Sequence, residues 1–279
     1  EDPNVRAAAM EQLASFSHQE VIPALHAALR SPDLLVVLAA LDGLNRQRVV
    51  LALAELQPML EQAVLRPALM SALGHSQDVG AVPALIEGLM EKARGAREAA
   101  LVGLFRLYHS LAAEGKQAIV DAMRRLDEMT VRSMLRALME ATPPVRQATA
   151  ALLGWTGKTE MLRPLLLALG DADGSVQEAA AQALLDMDSG EATLTTLVDL
   201  TPTLDPRSRG NLCRFFAKHA APVRARISPA LQGKLVAILE TARGDKNAQT
   251  AAAAAQALAA ITDTQPLAPG GPDSAVKAS

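Results

Sequence analysis

Apolar and small residues recur along this chain in one fixed frame. Val5, Ala8, Ala9 and Leu13 return 31 residues later as Val36, Ala39, Ala40 and Leu44. The frame continues at Leu65, Ala68 and Leu73, at Ala96, Ala99, Ala100 and Leu104, at Val145, Ala148 and Leu153, and at Val176, Ala179, Ala180 and Leu184. A weaker copy covers Asp205, Ser208, Arg209, Leu212 and Phe216, and an Ala-rich one runs from Asn247 through Thr250 and Ala254 to Leu258. With the first apolar residue numbered zero, positions 0, +4 and +8 are apolar and +3 and +7 mostly small. That spacing lines one side of a helix.

A second stripe precedes each copy: Ile22, Leu25 and Leu29; Val82, Leu85 and Leu89; Leu135 and Leu138; Leu166 and Leu169. Each repeat is therefore a helical hairpin. Ser31-Pro32-Asp33, Pro143-Pro144 and Asp173-Gly174 mark junctions, where Pro or Gly ends one helix and a short polar residue caps the next. A hairpin of about 30 residues cannot bury its apolar face alone, so neighbours must stack. The pattern predicts an all-α protein, an α-solenoid of about eight antiparallel hairpins in a right-handed stack over residues 1–262.

The frame resembles HEAT repeats, in particular the short kind named after phycobilisome lyases. The resemblance implies a structural arginine after the first apolar position, present as Arg6, Arg66, Arg97, Arg146 and Arg209. Val37, Gln177 and Ala251 replace it elsewhere, so the family's Asp-to-Arg ladder is expected to be interrupted. The period fails between Leu104 and Val145. An extra helix over about Lys116 to Leu126 is expected there, in an irregular insertion near 108–128 that alters the local curvature. The first copy lacks the leading helix of its hairpin, as in a piece of a longer chain. Residues 263–279, rich in Pro and Gly, are expected to be a tail or linker.

Half of the chain is apolar but only 2% is aromatic, so Leu and Ala must fill the core, which suits closely packed helices and excludes an all-β fold. Charged residues make up 20%, enough patterning to exclude wholesale disorder. The greasiest stretch, Leu34 to Leu41, is too short for a membrane helix, which needs about 20 apolar residues. The compartment stays open, with a cytoplasmic setting expected ahead of a periplasmic one.

Candidate chemistry is sparse. Cys213 is the one cysteine, which removes any intrachain disulfide or thiolate metal cluster. His18, His26, His75, His109 and His219 never fall at i, i+4 spacing, so no metal and no cofactor is expected. Gly157-Lys158-Thr159 has the wrong spacing and context for a phosphate loop, because no strand precedes it. Glu87 and Glu91 sit one turn apart as solubilising charges, and Trp155 is expected to pack across a hairpin. No catalytic constellation is present.

Two surfaces are candidates for binding. Positions +2, +5, +6 and +9 point away from the core stripe, and there the chain places Leu38, Leu41 and Asp42, then Met70, then Leu101, Val102 and Phe105. If exposed, this apolar ladder would seat a partner's helix or extended peptide on a concave face; if the repeats twist tightly it would be buried between them. The second is a run of seven basic residues without an acid between Pro206 and Leu239. Of these, Arg207, Arg214, Lys218, Arg224 and Arg226 are candidate contacts for an anionic partner. The other 20 basic and 30 acidic residues leave −10 over the rest of the chain, which speaks against nucleic acid. The expected function is a non-enzymatic scaffold or adaptor for a protein partner. The alternative is an accessory subunit of a modifying enzyme resembling the E/F-type bilin lyases.

Overall fold

The computed structural model describes residues 2–15, 19–187 and 191–263. His18 and nearly all of the expected tail fall outside this range. The chain divides into two compact units, one ending at Met187 and one beginning at Asp188. Every regular element among the described residues is helical.

The first unit contains α1 (Pro3–Ser15), α2 (Ile22–Ala28), α3 (Leu34–Arg46), α4 (Leu53–Leu56), α5 (Arg66–Leu73), α6 (Val82–Leu89), α7 (Arg94–Ser110), α8 (Ala113–Arg124), α9 (Glu128–Glu140), α10 (Pro143–Trp155), α11 (Leu162–Ala168) and α12 (Gly174–Asp186). The second contains α13 (Ala192–Leu200), α14 (Pro206–Lys218), α15 (Ala220–Arg224), α16 (Pro229–Arg243) and α17 (Ala248–Thr262). In the first unit the second helices of successive hairpins pack in a row, α1 on α3, α3 on α5, α5 on α7, α7 on α10 and α10 on α12. In the second unit α14 packs on α17.

Caps place the helix starts. Asp33 and Asp173 accept the amide hydrogens of Leu35 and Ser175 at 2.9 and 2.8 Å, and Asp127, Asp205, Ser228 and Asn247 do the same for α9, α14, α16 and α17. Each satisfies a donor that the first helical turn leaves without a partner. Past the ends of α3, α5 and α10, frame position +12 takes a left-handed backbone: Arg48 (φ 55°), Gln77 (φ 56°) and Gly157 (φ 65°). Gly157 is thus the residue that stops α10, which explains its Gly-Lys-Thr context without a phosphate.

The seam between repeats lies at position +5. Leu41, Met70 and Leu101 are only 0, 3 and 2% exposed, and Ala150, Ala181 and Cys213 at the same position are also buried. On α17, which no described helix follows, Ala255 at +5 is exposed. The expected surface ladder is therefore corrected at Leu41, Met70 and Leu101: stacking a following helix turns +5 inward. Of the remaining members, Leu38, Val102 and Phe105 are half-buried and Asp42 is exposed. The seam is close enough to exclude side chains at some points. A Cβ on Gly74 would come within 2.5 Å of the Gly103 Cα, and one on Gly154 within 2.5 Å of the Ala183 Cβ.

Two departures from the frame have local causes. On α1, Val5 is 65% exposed and Ala9 is exposed while Ala7 is buried, because no described helix covers the stripe side and α1 rests on α3 by another face. Helix α8 lies outside the hairpin pattern. It buries Ile119 and Met123 against its surroundings and packs on α6, α7 and α10.

Candidate functional site

The structural arginines work on two levels. Four of the five, all but Arg6, reach back to a carbonyl five or six residues earlier, closing the loop before the helix. Arg66 donates to Leu60 at 3.2 Å, Arg97 to Glu91 and Lys92 at 2.7 Å each, Arg146 to Ala141 at 2.8 Å and Arg209 to Leu204 at 2.8 Å. Three also reach a carboxylate further along the chain. Arg66 pairs with Glu91, Arg146 grips Asp171 with two bonds of 2.8 and 2.7 Å, and Arg209 meets Asp245 at 2.6 Å. The bidentate guanidinium of Arg146 holds the Asp171 carboxyl below its ordinary range. Gln177, which replaces the arginine in α12, still donates to the Asp171 carbonyl at 2.7 Å. It keeps the loop-closing half of the role. Arg6 is exposed on α1.

The row of second helices carries a cleft of about 390 Å³ on α7, α10 and α12. Phe105, Tyr108 and His109 come from α7, Trp155 from the end of α10, and Glu178, Gln182 and Asp186 from α12. Tyr108 and Trp155 stack with centroids 4.0 Å apart and planes 26° from parallel, and Phe105 meets His109 edge-on at 4.6 Å. Lys116 of α8 lies 5.5 Å from the centre of the Tyr108 ring. Burial, then the charge of Asp186, raises the Tyr108 phenol above its usual range. The chain has six Phe, Tyr and Trp residues in all, and three of them line this cleft.

Only Phe105 of this cluster stands in the expected ladder. Trp155 packs on Tyr108 of the neighbouring second helix. The frame carries a signal for this site at position +10. Position +10 reads Arg46, His75, Arg106, Trp155 and Asp186 through successive second helices of the first unit, a column of residues that a structural stripe has no reason to vary so widely.

The basic segment is less bare than its sequence. Besides the Arg209 pair, Lys234 bonds Asp199 at 2.5 Å, Arg214 donates to Asn211, and Arg224 donates to the Asp263 carbonyl. Acids from outside the run thus fold back onto it. Arg207, Arg214 and Lys218 are exposed and Arg224 and Arg226 half-buried. Cys213 is buried, and desolvation pushes its thiol up to about 11, which leaves it a packing residue. Among the described residues no three His, Cys, Asp or Glu side chains gather as metal ligands.

Stacked hairpins with a shared seam define the class: the fold is a helical-repeat solenoid. Residues 1–68 match the HEAT-repeat family, as the frame implied. No curated protein matches the chain. Among solved structures, an engineered protein superposes with a TM-score of 0.53 at 18% identity, over 92% of this chain and 74% of its own. A designed armadillo repeat protein gives 0.39 at 18% identity over 86% and 99% of the two chains. The complex of CpcE and CpcF of phycocyanin lyase from Nostoc gives 0.41 at 20% identity over 86% and 94%. The likeness is one of fold, and the first of the three carries it.

Proposed function

We propose that this protein is a non-enzymatic scaffold that holds an extended segment of a partner protein along the second helices of the first unit. A lysine or arginine of that segment sits in the cleft on α7, α10 and α12. The observation behind this reading is the convergence of half the chain's aromatic residues with Glu178 and Asp186 on one cleft. Aromatic faces attract a cation by about 0.5–2 kcal/mol, and carboxylates beside them select cationic over neutral side chains. The apolar contribution comes from Phe105, together with Val102 and Leu38 further along the row, rather than from the buried +5 residues.

Trp155 is the chain's single tryptophan, so its emission tests the reading directly. Gly/Ser peptides carrying one Lys or Arg should produce a saturable change that matched Glu peptides do not. Glu178→Gln with Asp186→Asn should weaken it about tenfold, the scale of one lost charge-assisted contact. An equal response to Glu peptides, or none to any cationic peptide, would reject the cleft as a cation site.

The size of the cleft also admits the accessory-subunit reading, since a pocket with convergent polar groups is what a small cofactor needs. A bilin added alone separates the two: quenching of Trp155 by the bilin, without a peptide response, would favour the accessory role. No described helix is long and apolar enough to cross a membrane.

A further inference from the structure

A second cavity, of about 690 Å³, opens on the same row of helices over α3, α5 and α7. Its chemistry is opposite to that of the aromatic cleft. Arg46, Arg48, His75 and Arg106 line it together with Asp42 and Ser71. Arg46 donates to the carbonyl of Asp42 at 3.3 Å. Burial, then the charge of Arg48, depresses the Arg106 guanidinium, and His75 is depressed by burial, then by Arg106, then by Arg48. Arg48, His75 and Arg106 therefore act on one another as like charges across the cavity, while Arg46 stands beside Asp42.

The backbone adds an independent observation. Arg48 occupies frame position +12 in the left-handed region, where glycine is the ordinary choice and any other residue costs about 1 kcal/mol. Its conformation is held by the bonds from the Arg48 and Val49 amides to Asn45 and Leu44, each 3.0 Å. Neutral Gln77 holds the same left-handed position one repeat on, so the turn takes either residue; at Arg48 it sets a guanidinium in the lining of the cavity.

We propose that this cavity binds a phosphate monoester. Three guanidiniums against one lining carboxylate leave two positive charges, which a phosphate dianion balances and a single carboxylate does not. Guanidinium forks also match phosphate oxygens in pairs. Two sources share this chemistry, a phosphorylated side chain on a protein segment and a free small phosphate. The inference goes beyond the cation cleft and does not depend on it.

The test follows the arginine Nε–Hε and His75 ring signals by NMR while inorganic phosphate is added at pH 7.5, with acetate as the monoanion control. Saturable shifts at Arg46, Arg48, Arg106 and His75 are expected, about tenfold weaker with acetate, and absent at Arg207 and Arg214 of α14. Equal shifts at Arg207 and Arg214, or equal responses to acetate, would overturn the site, since both mean diffuse screening only. Arg48→Gly keeps the test sound, because glycine suits the left-handed backbone: this variant should fold at least as stably and lose about tenfold in phosphate affinity. Unchanged affinity would overturn the proposal. A phosphoserine peptide that binds more tightly than inorganic phosphate assigns the site to a protein segment, and equal binding assigns it to a free phosphate. Because Arg48→Gly leaves Glu178 and Asp186 untouched, the Trp155 response to cationic peptides stays as its separate control.

Discussion

A left-handed residue ends three second helices of the first unit, and its identity differs at each. Gly157 has no heavy atom within 4 Å of where a Cβ would stand, so Gly157→Ala should cost about 1 kcal/mol through the backbone alone. Gln77→Gly relieves the same strain and should raise the thermal midpoint, although part of the gain is offset by the freedom glycine has in the unfolded chain. Matched urea titrations measure both. At the seam, Leu41→Asp with Leu101→Asp should destabilise the fold by several kcal/mol, because each puts an unpaired charge where less than 3% of the side chain meets water. Urea midpoints nearly unchanged from wild type would return these residues to the surface. The +5 residues were legible as apolar but not as buried, because helical spacing fixes the angle between two side chains and says nothing about which neighbour covers them.

At the scale of elements, the hairpins and their caps follow from the sequence because both are local. Asp33 and Asp173 stand immediately before their helices, and their roles need no distant partner. The arginines needed more. Their shared frame position was visible, but the carboxylates of Glu91, Asp171 and Asp245 stand 25, 25 and 36 residues later, a distance that one repeat and its irregular loops set. Arg146→Ala should destabilise the protein more than Gln177→Ala, since Arg146 loses a bidentate partner as well as a carbonyl; differential scanning calorimetry would rank them. Stability should also depend on pH in two steps. His75 and His109 have depressed values in the folded state, so their contribution is present above about 6.5 and is lost as pH falls below it. Asp127, Asp171, Asp173, Glu191 and Asp205 are depressed from the carboxylate range by hydrogen bonds from their own caps and partners. Their contribution is present above about 4.5 and is lost below it. A thermal-midpoint profile from pH 8 to 3 should therefore decline gently, then steeply; a profile rising towards acid would contradict both shifts.

For the whole molecule, charge was the least legible property. The run from Pro206 to Leu239 looked like an uncompensated basic surface, yet Asp199 and Asp245, which flank it in sequence, pair with Lys234 and Arg209. The reverse happened in the first unit, where Arg48, His75 and Arg106 are spread over nearly 60 residues of mixed charge and meet at one cavity. Folding in a repeat protein gathers residues by frame position, so a window of neighbouring letters is the wrong lens for its surface. Charge reversal of Arg207 and Arg214 to Glu should accordingly leave the Trp155 response to cationic peptides unchanged.

The junction arginines have a mechanical meaning. In a stack where each hairpin touches only its neighbours, tension along the row passes through the junctions one after another, like load along a chain of links. At the link after α9, Arg97 forms no ion pair with a described carboxylate, and its bonds go to the Glu91 and Lys92 carbonyls before its own helix. Across that link Arg94 donates to the Glu140 carbonyl at 3.5 Å while pairing with Glu98 of its own helix at 2.6 Å, whereas the next link is clasped by Arg146 and Asp171. Stretched between its ends, the first unit should part at α7 and α10 before it parts at α10 and α12, and α8, wedged across that gap, is placed as its brace.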